Sequence, residues 1–180
     1  MRLFFALWPD AGTRDRIEKA AAALTLAHGV RRVPRENYHV TLAFVGEAAE
    51  SQIRALLEVG RSQRSLACSV KFDACEYWPE PQVAVAVALE TPAAIGELST
   101  RLHVALAGRD AALKISRVEA LLRAHVTLAR KVAQAPVLQA MSPFCWSARS
   151  FSLVRSDTSG PQSVYTVVDT WPLLDETPNP

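Results

Sequence analysis

His39-Val40-Thr41-Leu42-Ala43 and His125-Val126-Thr127-Leu128-Ala129 are one pentapeptide written twice, 86 residues apart. On a strand, alternate side chains point to opposite faces. Val40 and Leu42 therefore go to one side and His39 and Thr41 to the other, and the second copy divides in the same way. Each copy reads as a strand that buries an aliphatic pair and presents a His-Thr pair. Identity over five residues at that separation points to an internal repeat.

The flanking sequence fits that plan. Arg2 to Trp8 is a short apolar run stopped by Pro9, the pattern of a buried strand. Asp10 to His28 carries Ile17, Ala20, Ala21, Leu24 and Ala27 at helical spacing, with Asp10 as cap and Gly29 as stop. Arg31 to Asn37 reads as a loop and Tyr38 to Val45 as the first motif strand. A helix over Ala48–Val59 ending at Gly60 follows, then strands over Leu66–Tyr77 and Val83–Leu89. The small residues Ala84, Ala86 and Ala88 predict a tightly covered face. Thr91-Pro92 reads as an N-cap with proline at the first helical position. Ile95, Leu98, Leu102 and Leu106 form that helix's stripe, and Gly108 ends it. The second motif strand is Ala124–Arg130. Phe144–Arg155 and Ser163–Trp171 close the chain as a hairpin around Ser159-Gly160-Pro161. Several strand pairs are joined too closely for parallel crossovers. The expected class is α+β, with antiparallel sheets and helices on one face. Residues 1–180 are expected to form one bilobed domain, with 175–180 as a frayed tail.

Composition narrows the function classes. The 180 residues are 49% hydrophobic and 21% charged, with 20 basic and 18 acidic side chains for a net charge of +2. That is a globular chain without a blanket of positive charge, so any nucleic-acid contact is local. Cys68, Cys75 and Cys145 are odd in number and lack C-x-x-C spacing, which disfavours a disulfide framework or structural zinc. The apolar run at the N-terminus is too short for a signal peptide or a membrane span. These features predict a cytoplasmic protein.

Imidazole is the side chain best suited to exchange a proton near neutral pH. A hydroxyl two residues along the strand lies on the same face and can donate to an anionic oxygen. Two such pairs facing each other would hold a phosphate between an acid and a base, as in-line displacement requires. Neither copy offers carboxylate or thiol ligands at zinc spacing. The G-x-S-x-G elbow of a serine hydrolase and the glycine loops of nucleotide-binding enzymes do not occur. His28 at a helix end and His103 in mid-helix read as structural.

Two His-x-Thr motifs half a chain apart resemble the 2H phosphoesterases. Within them the chain is similar to the RNA 2′,3′-cyclic phosphodiesterases, once called 2′-5′ RNA ligases. The resemblance also covers Arg2-Leu3-Phe4-Phe5-Ala6-Leu7, Pro34-Arg35-Glu36-Asn37-Tyr38-His39, Leu122-Arg123-Ala124-His125 and Phe151-Ser152-Leu153-Val154-Arg155-Ser156. It implies two pseudo-symmetric antiparallel sheets, helices on the outer faces and a central cleft. It implies metal-independent opening of RNA 2′,3′-cyclic phosphate ends to 2′-phosphates, with no cofactor. The implied partners are RNA 3′ ends or nucleoside 2′,3′-cyclic phosphates, without a membrane, for a monomer. By position, His39 matches the proton donor and His125 the acceptor, while Thr41, Thr127 and Arg130 match phosphate-binding residues. Strict alternation points Arg130 away from His125 and Thr127, so its role requires a bulge or a strand end there. The family commonly has proline where this chain has Ala124, and bulkier residues at Ala84, Ala86 and Ala88. The same site could run in reverse as a 2′-5′ ligase, and a non-catalytic binder of phosphorylated RNA or nucleotides is a third reading. Arg31, Arg32, Arg35, Arg123 and Lys131 add positive charge near the motifs. Tyr38, Phe44 and Trp78 are candidates to stack a base, although core packing is the expected role of each.

Overall fold

A computed structural model describes residues 1–22, 24–25, 29–108, 122–133, 137–138, 141–160 and 163–175. In chain order its elements are β1 (Arg2–Leu7), α1 (Ala11–Ala22), β2 (Leu24–Thr25), β3 (Arg31–Arg32), β4 (Val40–Glu47), α2 (Ile53–Ser62), β5 (Cys68–Phe72), β6 (Ala74–Trp78), β7 (Val83–Val87), α3 (Ala93–Ala107), β8 (His125–Arg130), β9 (Val137–Leu138), β10 (Phe144–Ala148), β11 (Ser150–Asp157) and β12 (Val164–Pro172). Short 3-10 turns at Arg35–Asn37 and Glu50–Gln52 precede β4 and α2.

Two four-stranded sheets carry the motifs: β12-β11-β1-β4 holds the first, and β3-β8-β7-β6 the second. Every pairing between named strands is antiparallel. The α+β class with two antiparallel sheets is therefore present as expected. One continuous core joins the inner faces of both sheets, Leu3, Phe5, Val40 and Leu42 from the first and Ala84, Ala86, Val126 and Leu128 from the second, with Ile17 of α1, Leu56 of α2 and Leu102 of α3. The opposite faces carry small apolar floors: Phe4, Ala6 and Val154 on the first sheet, Val83, Val85 and Val87 on the second. Burial on both faces explains why β1 and β7 read as unbroken apolar runs.

Several boundaries move, each for a local reason. Asp10 caps α1 as expected, its Oδ1 accepting the Thr13 N–H at 2.6 Å. The helix ends at Ala22, however, and Leu24 enters a strand; His28 and Ala27 lie outside the described residues. The expected loop 31–37 contains β3, which adds an edge to the second sheet. Gly60 lies inside α2 rather than beyond it. A Cβ there would come within 2.3 Å of the Trp171 ring, so close packing fixes this glycine. The strand expected over Leu66–Tyr77 breaks at Asp73, sending β5 to β10 and β6 to β7. Asp73 itself is tied to the end of β7, its N–H donating to the Val87 carbonyl at 3.1 Å. Thr91 is not a cap: its Oγ1 accepts the Ala124 N–H at 2.9 Å. That bond explains the departure at Ala124, since proline would have no N–H to give. The α3 stripe is fully buried at all four expected positions. No described helix is long and apolar enough to cross a membrane.

Candidate active site

Both motif strands carry a bulge at the same place. In β4, Thr41 pairs with Ala6 and Ala43 with Phe5, leaving Leu42 without a partner. In β8, Thr127 pairs with Val85 and Ala129 with Ala84, leaving Leu128 unpaired. An extra residue shifts the alternation by one beyond that point. Leu42 and Ala43 are buried consecutively, and so are Leu128 and Ala129. Phe44 and Arg130 then return to the face of His39-Thr41 and His125-Thr127. The condition for Arg130 to join its motif is thereby met. Each bulged carbonyl finds another donor: the buried Ser99 hydroxyl reaches the Leu42 carbonyl at 2.6 Å, and the Val33 N–H reaches that of Leu128 at 2.9 Å.

The two presenting faces meet. His39, Thr41, His125, Thr127 and Arg130 all line one cleft of about 630 Å³, together with Phe44 and Trp78. Both imidazoles are anchored alike. His39 Nδ1 lies 2.7 Å from the Asn37 carbonyl and His125 Nδ1 2.8 Å from that of Arg123, in each case two residues earlier. A carbonyl can only accept, so Nδ1 carries the hydrogen and Nε2 is left to exchange a proton. The Asn37 side chain also donates to the Ser163 carbonyl at 2.7 Å, fixing the approach to β4 against the start of β12.

Aromatic rings hold the imidazoles. Trp8 stacks on His39 with centroids 5.9 Å apart, Phe4 lies at 4.9 Å, and Tyr165 meets it edge-on at 5.3 Å. Trp78 packs 4.5 Å from His125. Its indole N–H donates to Glu76 Oε2 at 2.9 Å, and the same carboxylate receives the Arg123 guanidinium through both oxygens. Arg123 thus supplies its carbonyl to His125 while Glu76 holds its head group and the adjacent ring.

Burial pushes the His39 pKa down to about 4, against the opposing pull of its bond to the Asn37 carbonyl, and Arg130 and His125 lower it further. Burial is also the main cause lowering His125, with Arg123 and Arg130 adding to it. The ligand-free site therefore favours two neutral imidazoles. No Asp or Glu is among the described residues lining the cleft, and no group of three His, Cys, Asp or Glu able to hold a metal occurs among them. The charged groups among its described lining residues are Arg2 and Arg130.

The remaining sequence candidates divide. Arg35 pairs with Asp15 and Glu18 of α1. Arg32 donates to the Ala21 and Leu24 carbonyls, and Arg123 is held by Glu76. Those three are structural. Tyr38 is in the core. Phe44 is not: it stays 51% exposed at the cleft, contrary to the expected core role. Trp78 does both: half-buried, it packs on the Val83, Val85 and Val87 floor and stands beside His125. His103 bonds the Ser99 carbonyl within α3 and is remote from the cleft lining. Trp8, Glu76 and Ser99 were not singled out by the sequence. Trp8 ends the first apolar run, and nothing in the pattern marked Glu76 or Ser99.

Comparison with known proteins agrees with this arrangement. The family described as LigT-like phosphoesterase matches residues 7–85, which include the first motif. An RNA 2′,3′-cyclic phosphodiesterase of Thermus thermophilus is 29% identical over 98% of this chain and 92% of its own length. One of Escherichia coli K12 is 26% identical over 96% of each. A crystal structure of a Thermus thermophilus protein superposes with a TM-score of 0.84 at 26% identity, covering 98% of this chain and all of the other. Beside the doubled motif, its matched bulges and the two-sheet architecture, these likenesses make the chain similar to the LigT-like phosphoesterases, over residues 7–85 by the family model and over nearly its whole length by the two bacterial relatives.

Proposed function

We propose that the chain hydrolyses 2′,3′-cyclic phosphate ends of RNA to 2′-phosphates without a metal ion, as one bilobed catalytic unit. The reading rests above all on the equivalent anchoring of two imidazoles at one cleft, each Nδ1 satisfied by the carbonyl two residues earlier. The names of the bacterial relatives point to the same reaction. His125 Nε2 takes a proton from water as its oxygen attacks phosphorus. The bond from phosphorus to the 3′-oxygen breaks, and His39 Nε2 supplies the proton that leaves a 3′-hydroxyl. Thr41 and Thr127 donate to the non-bridging oxygens, and the Arg130 charge offsets the developing anion. The stronger pKa depression falls on His39. Both rings are lowered by burial, so His39 takes up the donor's proton only as the phosphate anion arrives.

The test is incubation with a nucleoside 2′,3′-cyclic phosphate in excess chelator. The expected product is the 2′-phosphate alone. A 3′-phosphate, or activity lost to chelation and restored by a divalent ion, would reject the mechanism.

A further inference from the structure

A second cavity of about 350 Å³ adjoins the cleft and shares Pro81, Val83, Arg130, Ser163 and Tyr165 with it. It is within the size range of a small-molecule site. Val33, Pro34 and Pro81 give it one apolar wall, beside the polar Arg32, Asn37 and Gln82. Arg31, Arg130 and Lys131 line it as well, and no Asp or Glu is among its described lining residues. Arg31 and Arg130 are direct cross-strand partners between β3 and β8. Gln82 and Lys131 line the same cavity, and they are the two non-glycine residues with positive φ among those described, at 61° and 59°. Left-handed backbone at such residues gathers at ligand sites. An apolar wall with cationic groups suits a planar base joined to a phosphate.

We infer that this side cavity is a subsite for the nucleotide preceding the cyclic-phosphate end, with Lys131 meeting the internucleotide phosphate and the apolar wall meeting the base. The inference rests on the cyclic-phosphodiesterase reading and deepens it: the preferred substrate is an oligonucleotide end, not a free cyclic nucleotide. Arg130 stands at the shared wall, so the terminal phosphate and the next one are held by adjoining cations. Lys131 serves the second phosphate only.

The experiment compares kcat/KM on three substrates: a nucleoside 2′,3′-cyclic phosphate, a dinucleotide with the same end, and that dinucleotide with an uncharged methylphosphonate linkage. Each is run with the wild type, Lys131→Gln and Lys131→Arg. The charged dinucleotide is expected to exceed the mononucleotide by about tenfold, the scale of one charge-assisted contact. Lys131→Gln and the neutral linkage should each remove most of that advantage, and Lys131→Arg should keep it. Mononucleotide hydrolysis should stay within about twofold throughout. Equal hydrolysis of mononucleotide and dinucleotide would overturn the subsite, as would a Lys131→Gln chain slowed alike on both. Wild-type protein inactive on all three would instead overturn the underlying reaction, and the subsite with it.

Discussion

Substrate binding should draw a proton into the site, because the free cleft disfavours the charged donor it needs. His39 falls from an ordinary value of 6.5 to about 4, a cost of about 3 kcal/mol for charging the ring. At pH 6 about one free molecule in a hundred would carry the proton. A phosphate monoanion about 4 Å away returns about 4 kcal/mol at an effective dielectric of about 20. The two magnitudes nearly cancel, so the bound donor should titrate near pH 7. The sign follows: a histidine pKa lowered by burial and raised by an anion means proton uptake on binding. The assay is calorimetry of a nucleoside 2′,3′-cyclic phosphate binding to His125→Gln protein, in which His39 is the remaining cleft imidazole. Comparing buffers of different ionisation enthalpy counts the protons. Uptake should be about 0.9 per site at pH 6, about half at pH 7 and negligible at pH 9. It should vanish in the His39→Gln/His125→Gln double variant. Binding heat independent of buffer at pH 6, or equal uptake in the double variant, would refute this reasoning.

Three further outcomes are expected. Ser99→Ala should destabilise the fold by roughly 1–3 kcal/mol in urea melts, because it leaves the buried Leu42 carbonyl without its donor at the first bulge; an unchanged midpoint would make that hydroxyl dispensable. Thr41→Ala and Thr127→Ala should each lower kcat by about 10²–10³, the usual loss for one oxyanion donor, while melting temperatures hold; rates within about twofold of wild type would make both hydroxyls structural. Glu76→Gln removes the charge that Arg123 and Trp78 both engage beside His125, so it should lower kcat more than it raises KM. A pH profile and kcat matching wild type would limit Glu76 to surface pairing, worth about 0–1 kcal/mol.

The repeat alone located the two motif strands and the sharing of one face by His and Thr, and hence placed His39, Thr41, His125 and Thr127 in the cleft. Periodicity also located α3 through Ile95, Leu98, Leu102 and Leu106. What periodicity could not locate were events that depend on a distant partner. The bulges at Leu42 and Leu128 follow from pairing with β1 and β7, and the residues themselves are ordinary strand formers. Those bulges decide the direction of Phe44 and Arg130, so strict alternation misplaces both. Gly60 looked like a helix stop because the Trp171 ring that requires it is remote in sequence. Thr91 looked like a cap because its actual donor, the Ala124 N–H, comes from the second motif. The lesson concerns hydrogen-bond accounting. A short polar side chain in a cap position can be claimed by a neighbouring strand, and only the three-dimensional partner list tells which. The cluster of arginines likewise gives no hint that Arg32, Arg35 and Arg123 are already engaged by carbonyls and carboxylates.

Comparing His39→Ala, His125→Ala and the double variant on a nucleoside 2′,3′-cyclic phosphate, with kcat/KM read across pH, tests the acid–base pair most directly. Because both imidazoles act in one step, each single variant should fall nearly as far as the double variant. The wild-type bell-shaped profile should lose one limb in each single variant. A single variant that keeps most of its activity, or a wild-type rate flat in pH, would contradict the pairing of His39 with His125.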